Sequence, residues 1–330
     1  MRTAFVTGAT GFLGSHVANL LLQHGWSVRA LVRRPARPGL LPQGVRIVAG
    51  ELLAADRYRE ALRNCHAVIH VAGLIQAPSL AAYRRANAQG TAILAEAAQR
   101  VCPDAMFLLV SSQAAAGPSI AGRIVRESDP PRPISWYGRS KLEGEQELQR
   151  RFRGRWCIVR PSVVYGPGDR GLLKLFQTAD RGLAPILAGG DRMFQMIAAE
   201  DVARILVGLL DRPDMAGRCG FAAGEAVTTG QVIREVASWR RPPARCLPIP
   251  GWVVRMAGMV GSLAQSLGIE PVMIDADKAR EILAPGWVCD PAPLLRDLGI
   301  AGLEPWRAGL RRTVRWYCRH GWLLSDWPGA

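Results

Sequence analysis

Paired cysteines are missing from this chain. Its seven cysteines are odd in number and scattered, and no two of them form a C-x-x-C motif. That spacing excludes a disulfide framework and a cysteine zinc site, and it is typical of reduced thiols packed inside a cytoplasmic protein. The sequence has no internal repeat and no low-complexity tract. Because an apolar strand and a glycine turn begin at once, we expect no signal peptide. These absences predict a cytoplasmic globular protein without a metal site.

Lysine is scarce as well. The 330-residue chain has a formal net charge of +15, yet its only lysines are Lys141, Lys174 and Lys278, so arginine supplies almost all of the positive charge. The arginines are dispersed and no nucleic-acid recognition motif accompanies them, so we expect a small-molecule partner and no nucleic acid. Two interpretations of the charge stay open: solvated faces, and attraction to an anionic membrane surface.

A glycine-rich turn near the N-terminus carries the first functional signal. Residues 4–6 are a short apolar run, and Gly8, Gly11 and Gly14 then recur at every third position. The first glycine allows a sharp turn off a strand, the second allows backbone N–H groups to approach a pyrophosphate, and the third allows close helix–sheet packing. A helix beginning near Phe12 points its positive end at the phosphates. The segment predicts a dinucleotide site formed by Gly8, Thr10, Gly11, Phe12, Leu13 and Gly14.

The end of the second strand indicates which dinucleotide binds. An NAD-selective enzyme generally places a carboxylate there for the ribose 2′-hydroxyl, but here Val32 is followed by Arg33 and Arg34. A guanidinium can form a forked pair with a 2′-phosphate, so NADP(H) is favoured and NAD(H) remains the alternative. A purely structural interpretation is that both arginines end the strand in water.

Two further strand ends are predicted beside the cofactor. Residues 45–52 read as a third strand that ends near the adenine, and residues 67–73 as a fourth strand that ends in small residues where backbone passes close to the nucleotide. The predicted contacts at these ends are Glu51, Leu52, Val71, Ala72 and Gly73.

Tyr137 and Lys141 form a candidate proton-transfer pair, because residues four apart share one face of a helix. The pKa of free tyrosine is about 10 and neutral acid–base catalysis needs about 7, a difference of about 4 kcal/mol. A neighbouring ammonium, together with the positive charge of an oxidised nicotinamide, stabilises the phenolate and lowers this pKa. Ser111 and Ser112 follow the buried strand 107–110, at the strand end where α/β sites form. A serine there holds the substrate oxygen, or merely caps the strand.

Together the glycine turn, the strand-end serines and the Y-x-x-x-K motif resemble the extended branch of the short-chain dehydrogenase/reductase superfamily, the NAD-dependent epimerase/dehydratase family. The similarity covers nearly the whole chain and includes four further segments, residues 87–91, 160–168, 200–203 and 309–317. The resemblance implies a Rossmann-type doubly wound parallel sheet with a smaller, mainly C-terminal α/β substrate domain.

The resemblance also implies roles for individual residues. Tyr137 would be the general acid/base, and Lys141 would lower its pKa and bind the nicotinamide ribose. Counting back from Gly117 to the family's serine position selects Ser112. Arg160 and the three residues after it would line the carboxamide end of the nicotinamide. The cofactor contacts added in this way are Asn87, Ser111, Tyr137, Lys141, Pro161, Ser162 and Val163.

The subfamily is closest in appearance to 3β-hydroxysteroid dehydrogenases and dihydroflavonol reductases, which act on a secondary alcohol or ketone of a bulky, apolar substrate. Nucleotide-sugar epimerases and dehydratases usually carry a diphosphate-binding arginine where this chain has Phe194, although Arg192 lies nearby, and asparagine where Ser162 stands. A nucleotide-sugar enzyme with retained NAD therefore stays an alternative. A non-catalytic NADP(H)-binding subunit is a second alternative, which the intact set of Ser112, Tyr137 and Lys141 argues against.

The predicted dinucleotide-binding domain spans residues 1–165 with 201–225 returning to it, and the substrate domain spans 166–200 and 226–330. Thr228 and Gln231 form a capping-box pattern, and the prolines between 242 and 250 indicate a linker. Residues 252–269 have one helical apolar face that includes Trp252, Met256, Val260, Leu263 and Leu267. We expect this helix to cover the substrate pocket, and a peripheral membrane contact is the alternative. The family resemblance also leaves a homodimer open.

Overall fold

The computed structural model describes residues 1–35, 39–120, 123–267, 269, 274–324 and 327. Its strands are β1 (Thr3–Thr7), β2 (Ser27–Val32), β3 (Arg46–Ala49), β4 (Ala67–His70), β5 (Met106–Val110), β6 (Trp156–Pro161), β7 (Val163–Tyr165), β8 (Leu183–Leu187), β9 (Met193–Ala198), β10 (Arg218–Ala222), β11 (Ala226–Thr228), β12 (Arg245–Ile249) and β13 (Gly286–Trp287).

The α-helices are α1 (Phe12–Gln23), α2 (Arg59–Leu62), α3 (Leu80–Tyr83), α4 (Gly90–Val101), α5 (Gln113–Ala116), α6 (Trp136–Arg151), α7 (Leu173–Asp180), α8 (Ala199–Leu209), α9 (Thr229–Trp239), α10 (Gly251–Ser266), α11 (Ala276–Leu283), α12 (Ala292–Asp297) and α13 (Trp306–Arg319). A π-helical segment, Arg84–Gln89, joins α3 to α4.

A seven-stranded parallel sheet in the order β10-β6-β5-β4-β1-β2-β3 organises the molecule. Alternate residues of its central strands are buried on opposite faces. Val6 and Leu108 belong to the core that includes α1 and α8, whereas Phe5 and Phe107 belong to the core that includes α4. A parallel sheet covered on both faces is the doubly wound arrangement, so the predicted Rossmann-type fold is confirmed.

Two smaller sheets lie outside the large one. Strand β9 pairs with β11 in antiparallel fashion and with β7 and β13 in parallel, and β12 pairs with β8. Strand β10 returns to the edge of the large sheet beside β6, with Ala222 opposite Pro161. The division of the chain into a nucleotide-binding domain and a substrate domain stays a prediction.

Several local predictions differ from the structure. The third and fourth strands end at Ala49 and His70, three residues earlier than expected, and the connections that follow carry the predicted cofactor contacts. Part of the predicted linker instead forms strand β12, which pairs in parallel with β8 and places Pro248 opposite Ile186. Proline itself donates no hydrogen bond, so the other residues of the strand supply the N–H groups of the pair. The capping box of Thr228 and Gln231 is confirmed.

The apolar side of helix α10 faces outward, whereas we expected it to cover the substrate pocket. The large apolar residues Trp252, Met256, Val260, Leu263 and Leu267 are exposed, and the opposite side of the helix packs against α11. The reason is steric: a Cβ at Gly258 would lie only 2.6 Å from the Cβ of Ala279, so the small-residue side permits the closer approach. Residue 268 of the predicted apolar segment lies outside the described residues. Among the residues described, no helix has the length and apolar character needed to cross a membrane.

Candidate active site

The glycine turn brings two predicted cofactor segments together. Gly8 has a φ of 77°, and a Cβ there would lie 2.6 Å from the backbone nitrogen of Ala72. A Cβ at Gly14 would lie 2.1 Å from the carbonyl oxygen of Gly8. Because only glycine fits these close approaches, the turn after β1 packs directly on the connection 71–73 after β4.

The start of α1 has the chemistry of a pyrophosphate site. Gly11 is its N-cap and provides no side-chain cap, and no acidic residue lies in the first turn. The N–H groups of Phe12 and Leu13 therefore belong to the helix end that attracts anions. Thr10 immediately precedes this cap in the turn.

A buried hydroxyl at the other predicted end of the cofactor also fits a dinucleotide. Ser162 is 8% exposed and its Oγ atom has no hydrogen-bond partner among the described residues. A buried hydroxyl without a partner is costly, so a ligand that bonds it is expected. Pro161 ends β6 beside this serine, whereas Val163, the next predicted contact, is 40% exposed.

The predicted adenosine end of the site is open to solvent. Arg33 and Arg34 are exposed and directly follow β2, whose last residue is Val32. Glu51 is exposed after β3, whereas Leu52 is half-buried and packs near Gly90 at the start of α4. In the sequence no carboxylate follows β2 before Gly44, and Arg33 and Arg34 are the charged side chains that the structure describes directly after the strand.

Asn87 is close to the nucleotide strand ends, but its own polar groups are engaged within the protein. Its Oδ1 accepts from the backbone of Leu74 at 2.8 Å, and its Nδ2 donates to the carbonyl of Leu74 at 3.0 Å and to the hydroxyl of Ser140 at 2.9 Å. A Cβ at Gly73 would lie 2.8 Å from Oδ1. The amide thus positions the connection after β4 against the helix that carries Lys141.

Ser112 and Tyr137 are neighbours, and the Ser112 hydroxyl lies where it lowers the pKa of the Tyr137 phenol. Ser112 follows the carboxyl end of β5 and caps α5, where its Oγ accepts from the backbone of Ala114 at 3.1 Å. Tyr137 lies in the first turn of α6, whose N-cap is Ser135. The pKa of Tyr137 is raised to about 12, mainly by burial; the neighbouring Ser112 hydroxyl lowers this pKa and the Glu281 carboxylate raises it. The protein alone therefore keeps this phenol protonated.

Lys141 lies one turn further along α6, as the spacing predicts, and its role toward Tyr137 and the cofactor stays a prediction. Its Nζ donates to the carbonyl oxygen of Val110 at 2.6 Å. Burial lowers the pKa of Lys141 to about 8, and the Glu145 carboxylate acts in the opposite direction. The predicted low pKa of Tyr137 is not a property of the protein alone, because desolvation of the phenolate dominates.

Behind Lys141 lies a buried ion pair that sequence reasoning missed. The guanidinium of Arg160 donates to both oxygens of Glu145, at 2.9 and 2.6 Å, and the two side chains are 8% and 4% exposed. Ser111 also donates its hydroxyl to Glu145. Ser111 and Arg160, predicted beside the cofactor, are thus engaged with this carboxylate. Glu145 follows Lys141 by four residues, and this spacing places both on one helix face. The sequence could therefore have predicted that Glu145 lies close to Lys141.

Helix α11 closes the other side of Tyr137. The Asp277 carboxylate accepts two bonds from the backbone N–H of Trp136, at 3.0 and 2.8 Å, and so ties α11 to the start of α6. Tyr83 packs against Tyr137 with ring centroids 6.1 Å apart and donates its hydroxyl to the carbonyl of Ile75. Tyr137 thus lies between Tyr83, from the N-terminal half of the chain, and the start of α6 that α11 holds from the C-terminal half.

Arg192, the residue that left a sugar diphosphate site open, is engaged elsewhere. Its Nε donates to the carbonyl of Ala284 at 3.1 Å, and another guanidinium nitrogen donates to the carbonyl of Ala188. Phe194 lies half-buried in β9. The guanidinium thus joins three segments of the fold.

Comparisons with known proteins agree with this architecture. The profile of the NAD-dependent epimerase/dehydratase family matches residues 4–220. Ceramide reductase of Caulobacter vibrioides is 34% identical over 324 residues, which are 97% of this chain and 96% of that protein. A putative dihydroflavonol 4-reductase of Synechocystis sp. is 37% identical over 352 residues, covering 98% of this chain and 96% of that one.

Among solved structures, MoeE5 in complex with UDP-glucuronic acid and NAD superposes with a TM-score of 0.77 at 23% identity, over 96% of this chain and 99% of that one. At that identity the likeness concerns the fold. The family profile, the full-length relatives and the parallel sheet show that this chain belongs to the NAD-dependent epimerase/dehydratase family, as an NAD(P)-dependent oxidoreductase of the extended short-chain dehydrogenase/reductase type.

Proposed function

We propose that the enzyme uses NADPH to reduce a ketone to a secondary alcohol on a large, apolar lipid substrate. The observation that carries this proposal is the placement of Ser112 beside a protonated Tyr137 at the carboxyl end of β5, with Lys141 one helical turn away. A hydroxyl that orients a carbonyl oxygen and an acid that protonates it are what carbonyl reduction requires.

The chain's own residues handle the proton. The nicotinamide, when bound, supplies the hydride. Tyr137 donates its proton to the carbonyl oxygen, and its pKa of about 12 keeps that proton in place across the physiological range. Ser112 holds the oxygen while the charge develops. Lys141, with a pKa of about 8, is mostly charged at neutral pH and stabilises the phenolate that remains.

The choice of NADPH over NADH rests on Arg33 and Arg34. Both side chains are exposed at the end of β2 and no carboxylate competes there for the ribose 2′-hydroxyl. A 2′-phosphate placed beside them would form charge-assisted hydrogen bonds. The remaining predicted contacts, from the glycine turn, the connection 71–73 and Ser162, would hold the pyrophosphate and the nicotinamide half.

The lipid substrate is inferred from the full-length relative named ceramide reductase and from the engagement of Arg192. Arg192 lies two residues before Phe194, the position where sugar-nucleotide enzymes usually carry their diphosphate-binding arginine, and its guanidinium donates to backbone carbonyls. This narrows the bulky, apolar substrate expected from the sequence to a long-chain lipid ketone.

A cofactor-consumption assay tests the proposal. Purified enzyme is mixed with NADPH and either a long-chain 3-oxo lipid in detergent or UDP-glucose, and NADPH oxidation and sugar epimerisation are both followed. We expect NADPH oxidation with the lipid alone and formation of a secondary alcohol by mass spectrometry. Conversion of UDP-glucose to its epimer without net loss of NADPH, and no reaction with the lipid, would replace this proposal with a nucleotide-sugar function.

A further inference from the structure

Helix α10 carries a continuous row of exposed apolar side chains. With successive residues about 100° apart around a helix, these side chains fall within one stripe about 100° wide. Their exposure ranges from 48% to 71%, and the row consists of Trp252, Met256, Met259, Val260, Leu263 and Leu267. Isolated exposed apolar residues are common, but a full face of this kind marks an interaction site. We call this row the α10 apolar face.

The inner side of the same helix is firmly attached to the protein. Val254 is 2% exposed, and Gly258 and Ala279 bring α10 and α11 together. The hydroxyl of Ser262 accepts from the backbone N–H of Ala276 at 2.9 Å. The α10 apolar face is therefore presented outward by a rigid helix pair.

The segment that leads into α10, and α10 itself, carry charge of one sign only. Between Glu235 and Glu270 the chain has no acidic residue, and it has four arginines, Arg240, Arg241, Arg245 and Arg255. Arg241 and Arg245 are exposed just before α10, and Arg255 is exposed on the helix, at the edge of the apolar stripe. An apolar stripe bordered by arginine, with tryptophan at its first turn, has the composition of a helix that lies in the plane of a bilayer surface.

We propose that the α10 apolar face docks the enzyme on an anionic lipid bilayer. The helix lies parallel to the surface with its apolar side chains among the acyl chains, while the arginines contact lipid phosphates. At 16 residues α10 is about 24 Å long, enough to lie along the interface.

Docking through α10 also places the active site next to the lipid. Helix α11 packs on the inner side of α10 and binds the backbone of Trp136, the residue before Tyr137. Ile75, which is 76% exposed, adds an apolar side chain to the connection bonded to Tyr83. This part of the inference rests on the proposed lipid substrate; the docking itself does not.

Vesicle flotation tests the docking without any assay of activity. The full-length protein is mixed with vesicles of phosphatidylcholine alone or of phosphatidylcholine with phosphatidylglycerol, and the fraction that floats is measured. The test variant is Met256→Gln, Met259→Gln, Val260→Gln. The matched control changes three exposed apolar residues elsewhere, Ile47→Gln, Ile120→Gln and Leu324→Gln, which are 41%, 65% and 92% exposed.

We expect the wild type and the control to float with anionic vesicles, and the test variant to lose partitioning by at least about tenfold, because three side chains lose their acyl contacts. High salt and neutral vesicles should each weaken flotation of the wild type. Circular dichroism checks that each variant is folded. The proposal is overturned if the wild type does not float, if it floats equally with neutral vesicles, or if the test and control variants behave alike.

Light scattering distinguishes two possible occupants of the α10 apolar face, a lipid bilayer and a second copy of the chain. A dimer that dissociates in the test variant, together with no flotation of the wild type, would assign the face to a protein interface and overturn the proposal. Docking with no reduction of any lipid ketone would leave the docking intact and count against the proposed function.

Discussion

The two sides of helix α6 are held by opposite means. Toward the large sheet, Glu145 and Arg160 form a buried ion pair, and Lys141 bonds the carbonyl that ends β5. Toward the C-terminal half, the buried carboxylate of Asp277 accepts from the backbone N–H of Trp136, and beyond α11 the apolar side chains of α10 are exposed. The side toward the sheet, which we call the nucleotide side, thus encloses an ion pair. The side toward α11 and α10, which we call the substrate side, ends in exposed apolar surface.

The two sides therefore differ in how rigidly they hold their geometry. Charges buried as a pair hold a single geometry, since leaving either partner alone costs several kcal/mol. Such rigidity suits a site that holds one cofactor in one orientation. Apolar contacts are not directional, so the substrate side can adapt to long, variable chains and to a lipid surface.

Tyr137 lies where the two sides meet, and its change should have the largest effect. For Tyr137→Phe we expect kcat to fall about 10³-fold, because the proton donor is lost, with little change in the Kd for NADPH. Steady-state kinetics and a binding titration check both. Tyr83→Phe is the matched control, since that ring lies 6.1 Å away and its hydroxyl bonds only backbone at 3.3 Å. Equal losses in both variants would assign Tyr137 a packing role.

Removing one partner of the buried pair tests the nucleotide side. Glu145→Gln leaves Arg160 charged and buried, so we expect the free energy of unfolding to fall by about 3–5 kcal/mol. On the substrate side, Asp277→Asn keeps an oxygen for the N–H of Trp136 and should cost about 1 kcal/mol. Denaturant unfolding of both variants measures the difference. Similar losses would remove the contrast between the two sides.

The selectivity for NADPH is the next effect in size. Replacing Arg33 and Arg34 by serine should weaken NADPH binding about 10- to 100-fold, because charge-assisted bonds to the 2′-phosphate are lost. NADH lacks that phosphate, so its Kd should change little. Parallel titrations of both nucleotides with both proteins give the ratio. An unchanged ratio would mean that the two arginines only end the strand in water.

The effect that is smallest near neutral pH is a pH dependence from the nucleotide side. His70 lies between the hydroxyls of Thr7 and Thr91, at 2.6 and 3.0 Å, and burial lowers its pKa to about 3, with the charge of Lys141 acting in the same direction. Its folded pKa lies below the unfolded value of about 6.5, so the unfolded chain takes up a proton first. Stability from neutral His70 is complete above about pH 6.5 and falls, by up to about 1.4 kcal/mol per pH unit, as the pH drops toward 3.

Unfolding measured from neutral to mildly acidic pH in the wild type and in His70→Gln isolates this contribution. The carboxylates titrate in both proteins and cancel in the difference. The slope assigned to His70 should vanish in the variant. A slope that persists unchanged would show that other groups cause the loss of stability in acid.

The parts of the site that could be predicted from the sequence are those that depend on local chemistry. The glycine turn, the strand-end serines and the spacing of Tyr137 and Lys141 are each confined to a few residues, and each belongs to one element and its cap. Backbone sterics and helix periodicity act over that same range, so the pattern alone predicts where these groups lie. The doubly wound sheet was predicted from the family resemblance that these local motifs carry.

Other features depended on residues far apart in the chain. The partner of Glu145 comes from β6, and the Glu281 carboxylate that raises the pKa of Tyr137 comes from α11. The outward direction of the α10 apolar face was decided by Gly258, which let α11 pack on the small side of the helix. Sequence therefore determined the kinds of groups and their local geometry. Tertiary packing determined their charge states and what each face meets, because desolvation and steric fit depend on every neighbour.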